Sequence, residues 1–76
     1  MPSDQPAWVL ARREHIGARI RDARVHADLS QLALAELCGV DHKTIHRVEY
    51  GTADPGLGLL LQIAQAVKVS LAELVR

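Results

Sequence analysis

An all-α fold follows from three features of the chain. Apolar residues recur at three- and four-residue steps along most of its length, and no stretch alternates as a half-buried strand does. Small polar residues, Ser30, Asp41 and Ser70, open successive apolar-periodic segments, where a side-chain oxygen accepts from the free N–H groups of a helix N-terminus. Gly39 and Gly51 close two of those segments, as residues that tolerate a left-handed backbone do.

The first helix starts near Pro6, or at Glu14 if the leading residues fray, and runs to about His26. Ile16, Ile20, Ala23 and Ala27 form its inward stripe, and Gly17 weakens its middle. The second spans Gln31 to Cys38, capped by Ser30, with Leu34, Ala35 and Cys38 on one face. Gly39 breaks it and Val40 follows as an apolar turn residue. The third runs from His42 to Tyr50, capped by Asp41, with Ile45 and Val48 buried and Gly51 at its end. Thr52 to Gly58, containing Asp54-Pro55-Gly56, is a connecting loop. The fourth helix, Leu57 to Val67, is expected to bury Leu57, Leu60, Ile63, Ala64 and Val67. Ser70 and Glu73 make a capping box for the fifth, with Val69 stapled onto Leu74.

Seventy-six residues at 49% hydrophobic content suit one small domain. Residues 14–76 form its compact unit, and residues 1–13 are an extension of the first helix or a flexible arm. The chain is too short to hold a catalytic cleft beside a core. No paired carboxylates, nucleophile with base, or glycine-rich phosphate cradle occurs at workable spacing, so an enzyme is not expected. A single cysteine, Cys38, offers no disulfide framework, and no leader or membrane-length apolar run is present. The expected location is the cytoplasm, away from any membrane. His42 and His46 stand four apart, but zinc takes about four ligands and Cys38 points inward, so neither a metal nor a cofactor is expected.

The second and third helices, joined across Gly39, have the layout of a helix-turn-helix. Once Ile45 and Val48 are buried, the third exposes His42, Lys43, Thr44, His46 and Arg47, a row of hydrogen-bond donors on an element that fits the major groove of DNA. Leu29-Ser30-Gln31, Leu34-Ala35, Gly39-Val40, Thr44-Ile45, Glu49, Gly51, Pro55, Ile63-Ala64, Val69-Ser70 and Leu74 together resemble the Cro/cI repressor-type, or Xre, helix-turn-helix family. The resemblance runs from about Ile16 to Val75. It implies a five-helix lambda-repressor-like domain that binds double-stranded DNA, with the third helix reading bases.

The resemblance also distributes roles. Gln31 would touch the DNA backbone and buttress the third helix, and His42 and Lys43 would read bases. Arg47, one turn beyond Lys43, reaches a further base or a phosphate, and Thr44 a phosphate or a thymine methyl. Ser30 and Tyr50 stand at the edges of this set, Tyr50 offering a phenolic hydroxyl to phosphate. Glu49 would pair with Arg24 of the first helix as a structural clamp. The chain departs from the family after Gly51, where relatives carry Lys or Arg and this one has Thr52-Ala53-Asp54.

Net charge is zero with four histidines, which is low for a phosphate binder. Arg12, Arg13, Arg19, Arg21 and Arg24 place most of the basic surface on the first helix, so either that helix or a second subunit would supply the missing phosphate contacts. Leu59, Leu61, Leu71, Leu74 and Val75 exceed what five short helices easily cover and suggest a homodimer, with Trp8 packed across it. The expected function is a bacterial transcriptional regulator, a repressor, acting as a homodimer. The alternative is an antitoxin-like regulator whose main partner is another protein.

Overall fold

The computed structural model describes residues 5–76. Its five helices are α1 (Ala7–His26), α2 (Gln31–Cys38), α3 (His42–Glu49), α4 (Leu57–Val67) and α5 (Leu71–Val75), and no strand occurs among the described residues. The N-caps form as the sequence predicts. Ser30 Oγ accepts from the Ala33 N–H at 3.0 Å, Asp41 Oδ1 from the Thr44 N–H at 2.8 Å, and Ser70 Oγ from the Glu73 N–H at 3.2 Å. The α5 box is half made, because the Glu73 carboxylate turns to Arg76 at 3.6 Å. α1 opens directly after Pro6 and continues unbroken through Gly17. α3 ends one residue earlier than expected, at Glu49, with Tyr50 as its cap and Gly51 beyond.

The first four helices end alike. In each, a residue at the cap or directly after it is left-handed, and the next N–H reaches back to the carbonyl five residues earlier: Leu29 to Arg24, Val40 to Ala35, Thr52 to Arg47, and Val69 to Ala64. The left-handed residue is Asp28, Gly39, Gly51 and Lys68 in turn. Asp28 and Lys68 carried no glycine signal, which is why only two of these turns were legible beforehand.

The core takes one fully buried side chain from every helix: Ile20, Leu34, Ile45, Ile63 and Leu74. Each contributes about 1.5–3 kcal/mol of burial. Ala35, Cys38, Val48, Ala64 and Val67 complete the cluster. α3 packs between α1 and α2, while α4 and α5 close the far side against α1 and α2.

Two expectations are overturned here. Leu74 is 2% exposed and belongs to this core, so it is not available to a second subunit; a five-residue helix has to spend its best apolar side chain on anchoring itself. Leu57 is 64% exposed rather than buried, because the first turn of α4 emerges from the loop before the helix meets α1 and α2. Trp8 is 67% exposed in the protomer, which leaves it open to a second subunit. Of the other residues proposed for an interface, Leu61 is exposed, and Leu59, Leu71 and Val75 are half-buried against the core.

Candidate nucleic-acid interface

Ile45, Val48 and Glu49 turn one side of α3 into the protein, which leaves His42, Lys43, His46 and Arg47 together around a shallow open groove on the other. Residues four apart stack along a helix face, so these form two rows, His42-His46-Tyr50 and Lys43-Arg47. The His42 and His46 rings lie 6.5 Å apart, and His46 meets Tyr50 at 4.7 Å in a tilted contact. Among the described residues, no hydrogen bond or ion pair engages the side chain of Lys43 or of Arg47. Their donors face solvent.

Thr44, at the edge of this face, is half-buried, and its hydroxyl donates to Asp41 Oδ1 at 2.6 Å. That proton is spent, so Thr44 cannot also donate to a phosphate in this rotamer. The same two hydrogen bonds from Thr44 hold the Asp41 carboxyl below its ordinary range, with Arg47 and Lys43 adding smaller attractions. Ser30 is occupied as a cap. Tyr50 remains exposed at the end of its row.

The buried side of α3 is held by a three-residue clamp. Arg24 Nε donates to Glu49 Oε2 at 2.6 Å and Nη2 to Oε1 at 3.3 Å, a two-pronged pair, while Nη1 donates to the Leu29 carbonyl at 2.8 Å. Gln31 Nε2 donates to Glu49 Oε1 at 2.9 Å. The Glu49 carboxylate has no solvent exposure and the Arg24 side chain only 12%. Removing one member of a pair this deep costs about 3–5 kcal/mol, because the other is left charged and unpaired. The geometry ties α1, the start of α2 and the end of α3 to one carboxylate.

A second attachment went unread in the sequence. A Cβ added at Gly17 would lie 2.5 Å from the carbonyl oxygens of both Val48 and Glu49, so only glycine lets α1 approach the backbone of α3 this closely. Gly51 meets the same constraint from the other chain direction: its φ is +75°, and a Cβ there would sit 2.8 Å from Glu14 Cα. Arg13 Nε and Nη2 both donate to the Gly51 carbonyl, at 3.1 and 2.9 Å, placing a cation at the negative end of the α3 dipole. Arg13 Nη1 donates to Gln5 Oε1 at 2.8 Å, and Gln5 Nε2 donates to Asp54 Oδ2 at 3.1 Å. Gly17 had been read only as a weak point in a helix. A close approach between segments about thirty residues apart leaves no local trace.

Most of the arginines of α1 already hold partners inside the fold. Arg13 and Arg24 are engaged as described, Arg12 Nη2 donates to the Val75 carbonyl at 2.6 Å, and Arg19 donates to His15 Nε2 at 3.1 Å and to the Glu73 carbonyl at 3.5 Å. Arg21 alone among them has no side-chain partner within the described residues. In the segment after Gly51, Thr52 Oγ1 donates to the Arg47 carbonyl at 3.3 Å and Asp54 Oδ2 accepts from Gln5, though both residues are exposed. Burial raises the Cys38 thiol above its ordinary range, which suits a packing residue. Among the described residues, no three potential metal ligands come together and no helix is long and apolar enough to cross a membrane.

The helix-turn-helix family profile matches residues 20–74. Two uncharacterized HTH-type transcriptional regulators of Sinorhizobium fredii are similar: y4dL, 35% identical over 60 residues, and y4wC, 40% identical over 55. These alignments cover 79% and 72% of this chain but only 31% and 38% of the relatives, so the chain spans about a third of their length. Among solved structures, the restriction-modification controller protein C.AhdI from Aeromonas hydrophila superposes with a TM-score of 0.81 at 34% identity, covering 84% of this chain and 97% of that one. The clp gene regulator ClgR from Corynebacterium glutamicum gives 0.81 at 26% identity, covering 84% and 68%. The order of five helices, the clamp at Glu49 and these matches place the chain in the Xre-type helix-turn-helix family of transcriptional regulators.

Proposed function

We propose that this protein binds double-stranded DNA sequence-specifically as a bacterial transcriptional regulator, with α3 in the major groove. The observation that supports this reading is the contrast between the two sides of α3. One side is fixed by Glu49, Ile45 and Val48; the other presents Lys43 and Arg47 with their donors unspent. His42 and His46 add imidazoles to the same face, and Gln31 keeps an N–H and a carbonyl oxygen for the DNA backbone after its bond to Glu49. Tyr50 and Ser30 flank the contact.

The regulator acts as a homodimer and a repressor, occupying a promoter and excluding polymerase. Trp8 and Leu61, both exposed, with the partly exposed Leu59, Leu71 and Val75, are the surface proposed for self-association. A two-fold dimer would present two α3 helices to a palindromic site about 34 Å apart. Selection of bound DNA from a random pool at two salt concentrations tests the reading. An enriched palindromic motif is the expected result; a pool without enrichment contradicts it.

A further inference from the structure

We infer that α3 reads its half-site through the acceptor edge of guanine, so that the DNA it selects has guanines at the centre of each half-site rather than an adenine-directed core. The inference deepens the DNA-binding reading above and rests on it.

The exposed side of α3 carries far more hydrogen-bond donors than acceptors. In the major groove guanine offers two acceptors, O6 and N7, whereas adenine offers one acceptor and one donor. Adenine is therefore matched by a side chain carrying both, asparagine or glutamine, and α3 contains neither (HKTIHRVE). The groove is lined by Lys43 and Arg47, which only donate, and by two imidazoles. Neither cation is diverted into the fold, so both keep their full donor sets. The nearest amide is Gln31, which lies on α2 rather than α3, and one of its Nε2 hydrogens ties it to the buried Glu49 carboxylate at 2.9 Å.

The remaining groups agree with this reading. Thr44 has spent its hydroxyl proton on Asp41, so it keeps a methyl and lone pairs, which suit a neighbouring thymine methyl or no base at all. Asp41 Oδ1 is taken by Thr44, and its other oxygen is an acceptor that matches the amino group of cytosine, the other half of a G·C pair. Lys43 and Arg47 are one helical turn apart, about 6 Å along the axis against about 3.4 Å per base step, so they reach purines one to two steps apart.

The test uses the full chain and the motif it selects from a random pool. Guanine is expected at one or two central positions of each half-site. Replacing those guanines one at a time with 7-deazaguanine, which keeps pairing but lacks N7, should weaken binding about 5- to 150-fold at the contacted position, the range for a two-pronged base contact. Lys43→Gln, at an exposed position, should move the preferred base at one position from guanine toward adenine. An enriched motif without central guanines, or unchanged affinity for every 7-deazaguanine site, overturns the inference while leaving DNA binding intact. A pool with no enriched motif overturns the DNA-binding reading, and this inference with it.

Discussion

α1 and α3 both carry clustered cations, and the two clusters do opposite things. On α1, four of the arginines end on partners inside the fold: Arg12 and Arg19 on carbonyls of α5, Arg13 on the Gly51 carbonyl and Arg24 on Glu49. On α3, Lys43 and Arg47 have no such partner. Charge counted along the sequence would point to α1 as the DNA-facing helix; accounting for hydrogen bonds leaves the unspent cationic side chains on α3. A helix end leaves four carbonyls unpaired, and an arginine from a neighbouring helix is a good donor for them. A small domain with several short helices therefore consumes cations as fasteners.

The largest expected effect comes from the deepest fastener. Arg24→Met should lower stability by about 3–5 kcal/mol, since Glu49 would be left buried and charged, and at roughly 4–8 °C per kcal/mol for a domain of this size a thermal melt will show it plainly. If Arg24→Met melts like the parent, the clamp contributes nothing and the distinction between the helices weakens. Gly17→Ala comes next. Its Cβ would meet two backbone oxygens, so α1 and α3 must separate, for a loss of about 1–3 kcal/mol or more. Gly39→Ala is the control: its φ is also positive but nothing lies within 4 Å of the added carbon, so it should cost only the backbone strain, about 1–2 kcal/mol.

On the α3 side, Lys43→Ala should leave the melting temperature nearly unchanged, within about 0.5 kcal/mol, and reduce affinity for the selected DNA by about 1–3 kcal/mol.

Much of this was legible in the chain because helix signals are local. Ser30, Asp41 and Ser70 sit next to the N–H groups they cap, and Gly39 and Gly51 mark their own turns. The Arg24 and Glu49 pairing came from the family pattern and stands at 2.6 Å. What escaped was tertiary. Leu57 and Leu74 look equally apolar, yet one stands exposed at the opening of its helix and the other is the buried side chain of a five-residue helix. Gly17 and Arg13 matter only because the end of α3, more than thirty residues later, returns to meet them. The role of the α1 arginines could not be read from charge, because nothing in their spacing says which carbonyls will lie beside them.

The salt dependence of DNA binding tests the division of labour between the two helices most directly. Each phosphate-neutralising cation contributes about 0.9 to the slope of log affinity against log salt. An Arg12→Ala, Arg19→Ala double variant, compared where it is fully folded, should keep the parent slope. A Lys43→Ala, Arg47→Ala double variant should lose up to about 2 from it if both cations sit on phosphate, and less affinity without slope change for any contact made to a base. A shallower slope for the α1 variant, with unchanged slope and affinity for the α3 variant, would contradict the account.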